Sequence, residues 1–204
     1  MNKIVKDTIA ITVITLVAGL ALGAVNDITS EPIAQQQMKA KEEAYKAVFD
    51  DADTFGMVEL GEEGSAALEA HLDENGYASQ TINEIMTAFD ANGEEIGHAF
   101  TVTSSEGYGG DIQFAMGVKN DGTLNGISIL SISETAGLGM RADTDEFKGQ
   151  FADKQVEKFV VTKAGSTQDS EIDALSGATI TSKAMVNGVN AGLCAFQYGE
   201  GGNF

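Results

Sequence analysis

Near the C-terminus the chain reads Asp173-Ala174-Leu175-Ser176-Gly177-Ala178-Thr179-Ile180-Thr181-Ser182, four hydroxyl side chains crowded around one Gly-Ala step. The only histidines, His71 and His98, are far away in sequence, so nucleophilic catalysis on a Ser-His pattern has little support. What the residue types do offer is an anion site. Gly177-Ala178 leaves the backbone unobstructed just ahead of a helix expected from Thr181 or Ser182 to about Phe196. The unpaired N–H groups of such a helix start favour a phosphate, and the neighbouring hydroxyls add hydrogen-bond donors. The plainer alternative is that Ser and Thr clusters cap helices. The residue types alone leave both readings open.

Two other stretches combine glycine with a large apolar or aromatic residue: Gly107-Tyr108-Gly109-Gly110 and Glu134-Thr135-Ala136-Gly137-Leu138-Gly139. Each begins like a dinucleotide fingerprint but lacks the third glycine and the β-α-β setting. Phosphate-loop, nucleophile-elbow and zinc-helix motifs are absent from the sequence. Cys194 is the single cysteine and lies in an apolar stretch. It reads as a buried structural thiol, so the fold holds no internal disulfide and no CxxC pair. Redox chemistry would have to use a bound cofactor.

These stretches need elements to position them. Ile82–Phe89, the turn Asn92-Gly93 and Ile96–Val102 read as a hairpin, because both turn residues tolerate positive φ. Ile112–Val118, the turn Asn120-Asp121-Gly122 and Ile127–Ile132 repeat the pattern. In each hairpin a second glycine, Gly97 or Gly126, follows the turn glycine by four residues, which suggests one local geometry used twice. A short amphipathic helix is expected at Asp145–Phe151 and a strand at Phe159–Lys163. The final helix carries Val186, Val189, Leu193 and Phe196 on one face. The order implies an α+β domain of antiparallel hairpins with packed helices, spanning residues 81–204.

Ahead of that domain, Thr8–Val25 is an uncharged apolar run of 18 residues, near the lower limit for crossing a bilayer. Lys3 and Lys6 precede it and no further basic residue appears until Lys39. The positive-inside rule then predicts a cytoplasmic tail at 1–7, a transmembrane anchor at 8–25 and an extracytoplasmic remainder. A cleaved signal peptide is the alternative. Residues 26–80 read as a stalk helix, capped by Ser30 with Pro32 in its first turn, followed by an acidic variable region with a short helix near Ser65–Leu72. From Asn26 onward there are 10 basic against 30 acidic side chains, a net charge of −20. Nucleic acid and anionic lipid headgroups are excluded as partners on that balance.

The segment Asp173-x-x-Ser176-Gly177-Ala178-Thr179-x-Thr181 resembles the flavinylation motif of the FMN-binding domain family. That family includes the G subunit of the Rnf ferredoxin–NAD oxidoreductase and the C subunit of the sodium-pumping NADH–quinone oxidoreductase. The resemblance implies FMN joined by a phosphodiester to Thr181, attached by a separate flavin transferase that uses FAD. It also implies a cofactor site at Ser176, Gly177, Ala178 and Thr179. Gly107–Ile112 resembles the family's GYGG segment, which adds Tyr108 and Gly109. Residues 134–139 resemble its ETPGLG loop against the flavin ring, which adds Glu134, Thr135, Gly137, Leu138 and Gly139. Ala136 stands where the family has proline. The implied protein is a single-pass, membrane-anchored electron-transfer subunit of an Rnf-type complex, with other membrane subunits as partners and no catalysis of its own. The rivals are the quinone-reductase subunit, a stand-alone flavinylated shuttle and a cofactor-free tethered scaffold.

Overall fold

The structure, a computed structural model, describes residues 3–203. Met1 and Asn2 of the expected tail, and Phe204 of the expected domain, lie outside the described residues. The chain divides between Ala40 and Lys41 into two units.

The first unit is helical and consists of α1 (Lys3–Val48) up to Ala40; the last residues of that helix, Lys41–Val48, belong to the second unit. α1 contains one stretch long and apolar enough to cross a membrane, none of it buried inside the protein. Side chains such as Leu20 (67% exposed) and Leu22 (72% exposed) therefore need a non-aqueous surrounding. The hydroxyls of Thr8, Thr12 and Thr15 donate to the carbonyls of Ile4, Thr8 and Ile11 at 2.8–2.9 Å, which satisfies them within the helix. A new helix capped by Ser30 does not form. The Ser30 hydroxyl donates back to the Asp27 carbonyl, and Pro32 sits inside the same helix. Proline removes a single N–H donor, and the helix-forming stretches on both sides are long enough to propagate past it.

In the second unit a five-stranded antiparallel sheet has the order β1-β2-β3-β4-β5. Its strands are β1 (Thr54–Met57), β2 (Gln80–Phe89), β3 (Glu95–Ser104), β4 (Ile112–Lys119) and β5 (Leu124–Ser131). α2 (Gly61–Glu74) follows β1 and covers the region where a short helix is expected. Both expected hairpins are present, with their turn glycines Gly93 and Gly122 at φ +78° and +83°. The repeated glycine spacing has a structural counterpart. β3 bulges between Glu95 and Gly97, and β5 bulges between Leu124 and Gly126. Each hairpin thus takes one extra residue at the equivalent place.

Alternation along the strands gives the sheet two different faces. Phe100, Val102, Phe114 and Met116 point to the main core, where α4 (Thr179–Tyr198) lies across them. Gly188 and Gly192 let that helix come close. A methyl group on Gly188 would lie 2.9 Å from the Phe114 ring, and one on Gly192 would strike the Met116 sulfur. The opposite face is a floor of small residues, Ala88, Ala99 and Ala115, covered by Ala44, Tyr45, Val48 and Phe49. At Gly117 a methyl group would lie 2.7 Å from the Val48 carbonyl and 2.8 Å from the Phe49 ring. The bulge residue Asn125 donates its amide to that same carbonyl at 3.0 Å, satisfying an orphan acceptor at the end of α1. Tyr45 is held by Thr101 (2.6 Å) and Glu84 (2.9 Å), and Lys41 pairs with Glu84. Burial, with the Glu84 carboxylate beside it, pushes the Tyr45 phenol above its usual range.

The chain after β5 closes the core. α3 (Asp145–Lys148) and its flanking 3-10 turns bury Phe147 and Phe151 where a short amphipathic helix is expected. β6 (Val160–Thr162) pairs in parallel with β7 (Glu171–Asp173), a small sheet that the hairpin reading does not anticipate. Asn190 of α4 bonds both the N–H and the carbonyl of Phe159 at 2.8 and 2.9 Å, tying this small sheet to the helix.

Candidate functional site

Three segments far apart in sequence converge on one cavity of about 520 Å³, a size that suits a small-molecule cofactor. They are the 107–111 loop after β3, the 134–140 loop after β5, and the start of α4. The helix begins at Thr179, two residues before the earliest start the sequence suggests. Gly177 at φ +79° makes the turn, and Ala178 leaves it with φ −134°. Helical geometry becomes available immediately after. No side chain caps this helix start. Its first N–H groups are therefore open to an anion, reinforced by the positive end of a 20-residue helix.

The hydroxyls separate into different jobs. Ser182 is fully buried; its oxygen accepts from the Leu175 N–H at 2.9 Å and donates to the Ala178 carbonyl at 3.0 Å. It is a structural latch, but not the helix cap that Ser and Thr clusters commonly supply, since no side chain among the described residues caps this start. Thr181, one residue earlier, is 1% exposed and lines the cavity. Its hydroxyl makes no hydrogen bond among the described residues. A buried hydroxyl facing a cavity beside open helix N–H groups is placed to meet a phosphate. Thr179 also lines the cavity, whereas Ser176 is exposed and outside the lining.

The facing wall is the 134–140 loop. Leu138 and Met140 donate their N–H groups to the Thr135 carbonyl at 3.1 and 3.2 Å, which folds the loop into a tight turn. Gly137 holds φ +77° there, its missing side chain facing open space. The turn presses Leu138 toward the other wall, where a methyl group on Gly177 would lie 3.1 Å from Leu138 Cδ2. Gly139 is the tightest point. A methyl group there would lie 2.7 Å from Thr181 Oγ1 and 2.7 Å from Glu134 Oε2. Glu134 joins the third segment, accepting the Tyr108 N–H on Oε1 at 2.7 Å. Gly109 does not line the cavity; a methyl there would strike the Ser133 carbonyl. Its bareness lets the 107–111 loop close onto the strand end.

The cavity therefore gathers Tyr108, Glu134, Thr135, Leu138, Gly139, Gly177, Ala178, Thr179 and Thr181, and leaves Ser176, Gly109 and Gly137 outside its lining. It adds Ile180, which the sequence reading does not single out. Ile180 (53% exposed), Tyr108 (72%) and Leu138 (43%) form an apolar rim. In the sequence Ile180 is one apolar residue between two threonines, and only the folded rim exposes it. A flat ring between apolar groups, with its phosphate at a helix N-terminus, fits this arrangement. Cys194 lies elsewhere on α4, half-buried, and burial raises its thiol above the usual range.

Residues 107–193, which contain all three segments, match the FMN-binding domain family. The relatives are similar over nearly the whole chain. The G subunit of the proton-translocating ferredoxin:NAD(+) oxidoreductase complex of Clostridium ljungdahlii is 34% identical, over 92% of this chain and 89% of that protein. Its counterpart in the Na(+)-translocating complex of Acetobacterium woodii is 30% identical, over 91% of this chain and 87% of that protein. The chain belongs to this family of oxidoreductase-complex G subunits. In fold alone it also resembles the C subunit of the Na(+)-translocating NADH-quinone reductase of Parabacteroides distasonis. That likeness has a TM-score of 0.50 at 18% identity, over 72% of this chain and 76% of that one.

Proposed function

We propose that this protein is the membrane-anchored electron-transfer subunit of an ion-translocating ferredoxin:NAD oxidoreductase complex, carrying FMN covalently on Thr181. The observation that carries the reading is the division of labour at the start of α4. Ser182 is consumed as a latch, while the adjacent Thr181 hydroxyl is left unbonded in the cavity. The helix N–H groups would hold the phosphate, and the bare backbone at Gly139 and Gly177 would let the flavin approach. Leu138, Ile180 and Tyr108 would exclude water from its ring. Ser176, Gly109 and Gly137 would serve the site by shaping the loops that face it. Bound FMN supplies the electron chemistry, and the protein supplies placement and charge. No histidine or other base on this chain need activate Thr181, because a flavin transferase using FAD would make the phosphodiester.

The same reading puts residues 1–7 in the cytoplasm, the anchor at 8–25 in the membrane, and the 26–80 segment and 81–204 domain outside. Partners would be the other membrane subunits of the complex. Relatives matched over nearly the full chain are G subunits, which favours this complex over the quinone-reductase alternative.

The test is intact mass and peptide mapping of protein co-expressed with a flavin transferase. The peptide containing Thr181 is expected to carry one FMN, and Thr181→Ala to carry none. An unmodified wild type beside an active transferase would overturn the covalent reading and bring the cofactor-free scaffold forward.

A further inference from the structure

The cavity is electrically one-sided. Among the described residues no lysine, arginine or histidine lines it, and the one formal charge in its lining is the carboxylate of Glu134. That side chain is only 9% exposed. Burying a carboxylate without a cation is costly, and among the described residues Glu134 forms no ion pair. Oε1 is held by the Tyr108 N–H at 2.7 Å, whereas Oε2 accepts no hydrogen bond among the described residues. Oε2 stands beside the bare Gly139, where a methyl group would lie 2.7 Å from both Oε2 and Thr181 Oγ1.

We infer that Glu134 sets the reduction potential of the site, acting as a fixed negative charge that opposes any further negative charge in the cavity. The inference rests on the reading that the cavity holds FMN. Reduction places electrons in the cavity. Where a proton does not neutralise them, the carboxylate repels them, and the equilibrium moves toward the oxidised form. At an effective dielectric constant of about 20, one unit charge changes an equilibrium roughly tenfold even from ~12 Å away. Glu134 itself lines the cavity, so a ligand filling it comes into direct reach of this carboxylate. Glu134 therefore holds the site at low potential wherever reduction leaves added negative charge in the cavity.

Glu134→Gln removes the charge and keeps an acceptor oxygen for the Tyr108 N–H. In flavin-loaded protein it is expected to shift the one-electron reduction equilibrium at least tenfold toward the reduced form, about 59 mV upward, read by spectroelectrochemical titration. Glu134→Ala should move it the same way, and Glu134→Asp, which keeps the charge, should stay near wild type. A purely structural role would not sort the three variants by charge. A loaded Glu134→Gln at the wild-type potential or below it overturns this inference alone. If Gln and Ala fail to load, an Asp variant displaced by tenfold or more overturns it, and one near wild type supports it. A wild type that carries no FMN overturns the underlying reading, and this inference with it.

Discussion

Gly139→Ala probes the point where the cavity walls come closest. The added carbon would lie 2.7 Å from Glu134 Cβ, from Glu134 Oε2 and from Thr181 Oγ1. Carbon contacts relax at about 3.5–4.0 Å, so the methyl overlaps three atoms from two segments. The Thr181 hydroxyl can rotate away and the carboxylate can swing. Glu134 Cβ cannot, because it is one bond from the backbone, so the loop itself must shift. Overpacking of this kind costs about 1–3 kcal/mol. For a folded unit of this size each kcal/mol lowers Tm by roughly 2–4 °C, giving a drop of about 2–12 °C by differential scanning fluorimetry. FMN loading at Thr181, read by intact mass after co-expression with the transferase, should fall with it. Gly137→Ala is the control. Its φ of +77° strains any other residue, but no atom lies within 4 Å of the new methyl. It should lose about 1–2 kcal/mol from backbone strain and keep its loading. A Gly139→Ala protein that melts and loads like wild type, or a Gly137→Ala protein that loads worse, would refute the account of these walls.

Ser182→Ala should cost about 1–3 kcal/mol in urea denaturation, because the buried Leu175 N–H loses its acceptor; Ser176→Ala, at an exposed hydroxyl, should be neutral. Phe49→Ala should cost about 3–5 kcal/mol, since the ring is 1% exposed over the Gly117 floor. Stability measured against pH should decline in two stages as pH falls. Burial holds His98 below its usual range, with Glu95 and Glu200 opposing. The unfolded chain therefore takes up that proton first, and stability drops as pH falls from about 6.5; His98→Gln should remove this stage. Asp90, Asp121 and Glu171 are held low chiefly by backbone N–H bonds from Glu94, Thr123 and Thr167. With depressed folded values, their contribution is present at neutral pH and is lost as pH falls below the usual carboxylate range.

Both hairpins were legible because their turns use residues that accept positive φ, and even the matched bulges left a trace in the spacing of Gly97 and Gly126. β6 falls inside the strand expected at Phe159–Lys163, but β1, β7 and the parallel pairing of β6 with β7 were not legible. These strands are three or four residues long, and their pairing is decided by distant partners. The unbroken α1 was hidden by Ser30 and Pro32, local start signals overridden by helix propagating from both sides. At the site, residue types pointed to the anion-binding helix start but could not divide its hydroxyls. Which oxygen is a latch and which faces the cavity depends on where the helix begins. A start at Thr179 turns Ser182 toward Leu175 and Thr181 toward the opposite loop. Ile180 escaped notice for the same reason, as its exposure exists only once the rim is assembled.

The rooting of Thr181 has a mechanical consequence. Its Cα belongs to the first turn of a helix whose next residues, Ser182, Ala184 and Met185, are fully buried. A flavin fastened there would start from a fixed post, and its ring would be held by the cavity walls rather than by the linkage itself. A lysine-linked cofactor, by contrast, swings on a flexible arm and can visit distant partners in turn. With the ring so held, electrons would pass by close approach of the donor and acceptor to it, or by displacement of the whole domain. A flavin on Thr181 would make the protein a relay station rather than a courier.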